Sequence, residues 1–148
     1  MYERSFIAGW GDMDFNGHMR NTAYLDRAAD TRMMYFADHG FPMRQFAQLR
    51  LGPVVMRDEI DYYKEIALLE TMRVRLSIAG LSADGSRFRL CNECFRDDGR
   101  LAARVSSLGG WLDLGARRLI RPPDALLAAL RSLERTEEFA ELESSVRD

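Results

Sequence analysis

The spacing of hydrophobic positions changes near Gly52. Before it, Leu25, Ala29, Met33 and Phe36 recur at helical spacing, with Tyr24, Ala28 and Tyr35 in a second row beside them. The two rows predict a helix from Thr22 to His39, buried on most sides. Asn21 or Thr22 stands where an N-cap is expected, and Gly40 and Pro42 stand where the helix must end. Residues 43–49 read as one more short helical turn, and residues 2–8 as an extended segment. After Gly52 the period is two. In 54–63, Arg57, Glu59 and Asp61 alternate with Met56, Asp58, Ile60 and Tyr62; in 71–80, Met72, Val74, Leu76 and Ile78 alternate with Arg73, Arg75 and Ser77. Two further strands are predicted over 86–96 and 100–114, with Asp84-Gly85 and Asp98-Gly99 as turns. Gly109-Gly110 inside the last strand predicts a bulge or a close backbone approach. Pro122-Pro123 then breaks the chain. Leu126, Leu127, Leu130 and Leu133 predict a helix over 124–143.

An antiparallel sheet with one apolar face needs a cover, and only the early helix is long and apolar enough to supply it. The predicted architecture is therefore an α+β domain spanning 1–148, a curved sheet wrapped around one helix. A chain of 148 residues is the size of one domain with a real core.

Composition narrows the function classes. The formal net charge of -2 offers no global field for nucleic acid. No run approaches a membrane span, and residues 1–8 lack a secretory pattern, so no membrane association is expected and a cytoplasmic location is. Lys64 is the only lysine, so the positive charge is arginine. Arginine suits phosphorylated ligands, but a genomic bias in composition explains it equally well. Cys91 and Cys94 form a C-x-x-C pair on a predicted strand, where positions three apart face opposite sides. Neither a disulfide nor a shared metal is expected, and reduced structural cysteines fit a cytoplasmic protein.

The segment GDMDFNGHMRNTAY, residues 11–24, concentrates the chemistry. Asp12 and Asp14 are crowded with Asn16, Gly17, His18 and Asn21 just ahead of the long helix. A helix start presents unpaired N–H groups and a positive dipole end, which stabilise a developing oxyanion. A carboxylate beside it can act as base or nucleophile, and Gly17 permits a tight turn. Two other uses of the segment compete. D-x-D-x-N-G matches the opening of a calcium loop, but the position that must carry Glu is Ala23, so no metal is expected. A purely structural loop, with Asp and Asn satisfying turn backbone, remains open on composition alone.

The run Asp12, Asp14, Gly17, His18, Asn21 and Tyr24, in the pattern D-x-D-x-x-G-H-x-x-N-x-x-Y, resembles the signature of the hydroxybenzoyl-CoA-thioesterase-like branch of the hot-dog superfamily. It sits after the first strand and at the start of the long helix, as in that family, and I-D-Y-Y at 60–63 resembles the strand along its substrate groove. The resemblance covers about residues 2–114 and leaves the last helix out. It implies a hot-dog fold and hydrolysis of an acyl-CoA thioester, with coenzyme A as part of the substrate and no other cofactor. It implies Asp14 as the catalytic carboxylate, nucleophile or general base, and the Asn21 N–H as oxyanion donor. Gly17 shapes the turn, with its N–H or that of His18 assisting the oxyanion donor; Asp12 holds the loop, and His18 braces it or polarises the thioester. Tyr24 lines the acyl pocket or packs under it, and Asn16 falls at the substrate pocket. The resemblance also implies a homodimer, or a tetramer of two dimers, with pockets between protomers. A hydratase or dehydratase using His18, or a non-catalytic acyl-CoA-binding module, remains the alternative. Two features depart from or extend the pattern. Many relatives carry a Gly-Asp turn between strands two and three, where this chain has Ala67-Leu68-Leu69-Glu70. Arg117, Arg118 and Arg121 are candidates for coenzyme A phosphates, although a solvated basic patch explains them too.

Overall fold

A computed structural model describes residues 1–147, so the domain reading of 1–148 extends one residue, Asp148, outside the described ones. The chain runs β1 (Tyr2–Ile7), a 3₁₀ turn (Trp10–Asp12), α1 (Asn21–Asp38), α2 (Met43–Leu49), β2 (Leu51–Tyr62), β3 (Thr71–Ser82), β4 (Arg87–Phe95), β5 (Leu101–Asp113), β6 (Arg118–Ile120), α3 (Asp124–Arg131) and β7 (Arg135–Leu142). One sheet orders its main strands β1-β3-β4-β5-β2, and all pairings along that path are antiparallel. Helix α1 covers the inner face against β1, β3 and β5. This is the α+β arrangement that the alternating strands and the single long helix predict, and the hot-dog fold that the resemblance implies.

The inner face is closed by two apolar clusters. The larger gathers Tyr35, Phe36, Phe46, Phe88 and Trp111 toward the far half of α1. The smaller lies beneath the loop before α1 and uses small or flexible side chains: Ala8, Met19, Ala23, Ile66, Met72, Cys94, Ala102 and Ala103, with Tyr24 among them. Of the two helical rows, Tyr24, Ala28 and Tyr35 are buried, while Leu25, Ala29 and Met33 are only half-buried and Met34 is exposed. Gly109 makes the predicted close approach: a Cβ there would sit 2.4 Å from the Val54 carbonyl oxygen and 2.7 Å from the Phe88 ring. The bulge itself falls in the facing strand, between Val55 and Arg57.

Two expectations need correction. The helix predicted over 124–143 ends at Arg131, and 135–142 is strand β7. Strand β1 pairs only with residues 71–76 of β3, which leaves the β3 backbone beyond Leu76 open on that side. Parallel pairing of β7 with Ile78–Ser82 of β3 satisfies those groups, and this outweighs the helical preference of Glu137–Leu142. Helix α1 also starts one residue earlier than predicted. Arg20 occupies the N-cap position with no side-chain cap, so neither Asn21 nor Thr22 is the cap.

Cys91 and Cys94 are both free and buried. Cys94 belongs to the cluster under the loop, whereas Cys91 pairs in register with Ser77 and Ser106 on the outer face. Burial raises both thiols, Cys94 to about 12, which keeps them protonated and unreactive. Among the described residues no helix is long and apolar enough to cross a membrane.

Candidate active site

The loop before α1 is a small closed unit. The Asp14 N–H donates to the His18 carbonyl at 2.7 Å, and Met13 bridges Met19. Gly17, at φ 75°, takes the left-handed turn that closes the loop. The Asp14 carboxylate is exposed and uses one oxygen only: Oδ1 accepts the N–H of Asn16 at 2.8 Å and of His18 at 3.2 Å. Oδ2 receives no hydrogen bond from the described residues. The same side chain therefore serves the turn and keeps one oxygen unengaged.

The loop is anchored from three sides. Asp12 is buried; its carboxylate accepts the Gly9 N–H at 3.0 Å, and Arg27 Nη2 donates to its two oxygens at 3.0 and 2.8 Å. Burial alone would raise the Asp12 carboxyl, but the Gly9 N–H and Arg27 outweigh it and hold the group below its usual range. The Arg20 N–H donates to the Asp12 carbonyl at 2.8 Å, which fixes the chain where α1 begins. The β2–β3 connection docks underneath: the Met19 N–H donates to the Ile66 carbonyl at 2.8 Å, and His18 bridges Ala67. In that connection Leu69 adopts φ 67°, the left-handed conformation that glycine takes freely and a β-carbon strains.

The first backbone groups of α1 lie beside the loop. With no side-chain cap, the Asn21 and Thr22 N–H groups have no protein acceptor among the described residues. Tyr62 of β2 reaches across and donates to the Asn21 carbonyl at 2.9 Å, and its ring meets Tyr24 edge-on at 5.5 Å. Tyr24 is buried, which pushes its phenol up to about 12 and leaves it neutral. His18 Nε2 lies 3.2 Å from Glu65 Oε2, both side chains being well exposed.

The structure thus joins Asp14, Asn16, Gly17 and His18 by direct hydrogen bonds, which engage the Gly17 and His18 N–H groups on Asp14 and leave neither as an oxyanion donor; Tyr62 is hydrogen-bonded to Asn21 and in ring contact with Tyr24. No hydrogen bond links Asp14 to Asn21. Three contributors escaped the sequence reading: Arg27, Glu65, and Tyr62 as a hydrogen-bonding residue. Tyr62 was visible inside I-D-Y-Y. The other two come from spatial neighbours with no local signal. The Arg117, Arg118 and Arg121 group is not brought to this site. Arg118 pairs with Asp113, ten residues along β5 from Ala103 at the Tyr62 end, about 33 Å at the usual strand rise. Trp111 is a core residue, fully buried, whose Nε1–H donates to the Gly85 carbonyl at 3.1 Å. Among the described residues no group of His, Cys, Asp and Glu is arranged to hold a metal ion.

A profile of the thioesterase-like superfamily matches residues 8–130, and the chain belongs to that superfamily. Thioester hydrolysis is the class of chemistry this assigns. The fold is similar to that of a hypothetical protein from Staphylococcus aureus solved in complex with CoA, at 20% identity over 91% of this chain and 86% of that one, with a TM-score of 0.82. It is similar to a 1,4-dihydroxy-2-naphthoyl-CoA thioesterase from Synechocystis, at 16% identity over 89% and 96%, with a TM-score of 0.80. It is also similar to a gentisyl-coenzyme A thioesterase, at 17% identity over 86% and 98%, with a TM-score of 0.77. At these identities the likeness carries the fold. No curated protein matches the chain.

Proposed function

We propose that this protein hydrolyses an acyl-CoA thioester to the free acid and coenzyme A, with Asp14 as the catalytic carboxylate. The observation that carries this reading is the divided role of Asp14: Oδ1 is pinned by two backbone N–H groups while Oδ2 is unengaged, on a loop joined directly to an uncapped helix start. In the hydrolysis the acyl C–S bond breaks and an acyl C–O bond forms. Asp14 either takes a proton from the attacking water or attacks the acyl carbon itself, forming a mixed anhydride that water then cleaves to the free acid and the restored carboxylate. The Asn21 N–H, aided by Thr22, receives the negative charge on the carbonyl oxygen. The thiolate leaves and gains the proton that water supplies. Gly17 and Asp12 hold the geometry, His18 braces the loop against Glu65, and Asn16 and Tyr24 border the substrate. The acyl group runs between α1 and the inner residues of β2, starting at Tyr62. No metal or redox cofactor enters this scheme.

The assembly reading is a homodimer, or a dimer of dimers. Strand β2 is a 12-residue edge strand on the main sheet path, with Val55, Met56 and Tyr62 exposed. Phe15 is wholly exposed beside Asp14, and Trp10 is 79% exposed. Apolar side chains on an open edge and at a site loop favour burial against a second copy.

One observation favours a second reading. His18 and Glu65 form a histidine–carboxylate pair, the arrangement a hydratase or dehydratase of this fold needs. A single panel separates the possibilities. Purified protein is given saturated and 2-enoyl-CoAs of short, long, branched and aromatic type, with thiol release followed by a reactive dye and enoyl hydration by loss of ultraviolet absorbance. Hydrolysis predicts thiol release that survives His18→Ala substantially. Hydration without thiol release, abolished by His18→Ala, refutes the proposal. Tight acyl-CoA binding with neither reaction would make the chain a binding module.

A further inference from the structure

A polar relay that the hydrolysis does not use joins α1 to β5 and β2. Arg32 lies on the buried row of α1 and is 9% exposed. Its Nη1 donates to Ser107 Oγ at 2.8 Å, and the fully buried Ser107 hydroxyl donates to Asp58 Oδ1 at 2.5 Å. Asp58 and Ser107 are register partners on β2 and β5. The Arg32 Nε–H and Nη2–H have no acceptor among the described residues, and no carboxylate lies within ion-pair distance of the guanidinium. These two N–H groups form the side edge of the guanidinium, whose parallel donors match the two oxygens of a carboxylate. The side chain is otherwise shielded, but this edge is not among the buried unpartnered groups and stays open to water or a ligand. Burial pulls the Arg32 group below its ordinary value, and Asp58, one hydroxyl away, only partly restores it.

The placement of this edge is not arbitrary. Arg32 is eleven residues beyond Asn21, about three helical turns, so both lie on one stripe of α1, about 16 Å apart along the axis. On the facing strand Tyr62, Ile60 and Asp58 run beside the same stripe. Tyr62 contacts Asn21 at one end, and Asp58 reaches Arg32 through Ser107 at the other. One end of this stripe is the uncapped helix start and the other is a cation. We propose that Arg32 is a specificity residue: the preferred substrate is a thioester whose acyl chain carries a second carboxylate at its far end, gripped by the free edge of Arg32. This rests on the proposed run of the acyl group along α1 and β2.

The test uses non-hydrolysable thioether analogues of CoA in matched pairs of equal chain length, one ending in a carboxylate and one in a methyl, measured by calorimetry. The wild-type protein should bind the carboxylate member at least about tenfold more tightly at one or more chain lengths, because a site built for a polar group rejects the analogue that lacks it. Arg32→Met should erase the preference without weakening the methyl-ended analogue, and Arg32→Lys, which keeps the charge and loses the fork, should retain only part of it. Equal binding of both members by wild type at every length, an unchanged preference in Arg32→Met, or binding of neither analogue overturns the inference. Equal binding is also what a carboxylate of a second copy already seated on Arg32 would give. The parallel thiol-release assay keeps the two proposals apart. Preference for the carboxylate without hydrolysis of either thioester refutes the hydrolytic reading and leaves the fork. Hydrolysis of both thioesters with equal kcat/KM and equal binding refutes the fork and leaves the hydrolysis.

Discussion

The Asp12–Arg27 pair is expected to be the principal tether of the active loop, and its worth can be measured. The carboxylate accepts Arg27 Nη2 on both oxygens and the Gly9 N–H, and both side chains of the ion pair are mostly shielded, at 11% and 25% exposure. Removing a charge-assisted hydrogen bond costs about 1.5–3 kcal/mol, and more when the partner stays buried and charged. Arg27 keeps Asp30 at 3.1 Å, which softens the loss. Asp12→Ala should therefore cost about 2–3 kcal/mol, equivalent to about 5–10 °C in Tm for a chain of this size. A double-mutant cycle isolates the pair: Asp12→Asn preserves the acceptor for Gly9, and Arg27→Met preserves the packed stem. Urea denaturation at fixed protein concentration should give a coupling of about 1–2 kcal/mol at pH 7. The pH dependence has a definite sign. The folded Asp12 carboxyl lies below its unfolded value, so its contribution is complete above about pH 4 and is lost as pH falls through the lowered folded value. Acidification from pH 5 to 3 should thus cost wild type more than Asp12→Asn. A coupling under about 0.5 kcal/mol at pH 7, the margin of independent sites, would refute the tether.

Other consequences follow from the same geometry. Leu69→Gly should leave stability unchanged or raise it by up to about 1 kcal/mol in denaturant melts, because relief of the left-handed strain offsets the extra chain entropy of glycine; a loss above about 1 kcal/mol contradicts this. Gly109→Ala should destabilise severely or prevent folding, as its Cβ meets the Val54 carbonyl at 2.4 Å, whereas Gly99→Ala meets no atom within 4 Å and pays only the cost of its positive φ, about 1–2 kcal/mol. Trp111→Ala should cost about 3–5 kcal/mol, since a fully buried ring and its bond to Gly85 are both lost; circular dichroism melts check each.

Much of the fold was legible because its cues are local. The change of period at Gly52, the two Asp-Gly turns and the Gly109-Gly110 pair follow from alternation and turn chemistry. Strand β7 was not legible: EEFAEL favours a helix locally, and only the open edge of β3 beyond Leu76 makes a strand of it. The site divides in the same way. The Asp14 turn, Gly17 and the helix start adjoin one another in sequence, so the motif carried them. The supports are distant in the chain: Glu65 and Tyr62 arrive on the strand and connection that return under the loop, and Ser107 and Asp58 meet Arg32 across more than two elements. Composition alone left Asp14 between catalyst and turn anchor. The geometry gives its Oδ1 to the turn and leaves its Oδ2 without a hydrogen bond among the described residues.

That division makes Asp14→Asn the most direct test of the central claim. The amide oxygen can still accept the N–H groups of Asn16 and His18, so the turn and the melting temperature should be preserved within about 2 °C. Only the charge and basicity of the unengaged oxygen are removed. With the best acyl-CoA from the panel, thiol release should fall at least about 100-fold in kcat, the lower range for loss of a general base or nucleophile. Full turnover by a folded Asp14→Asn protein would contradict the account.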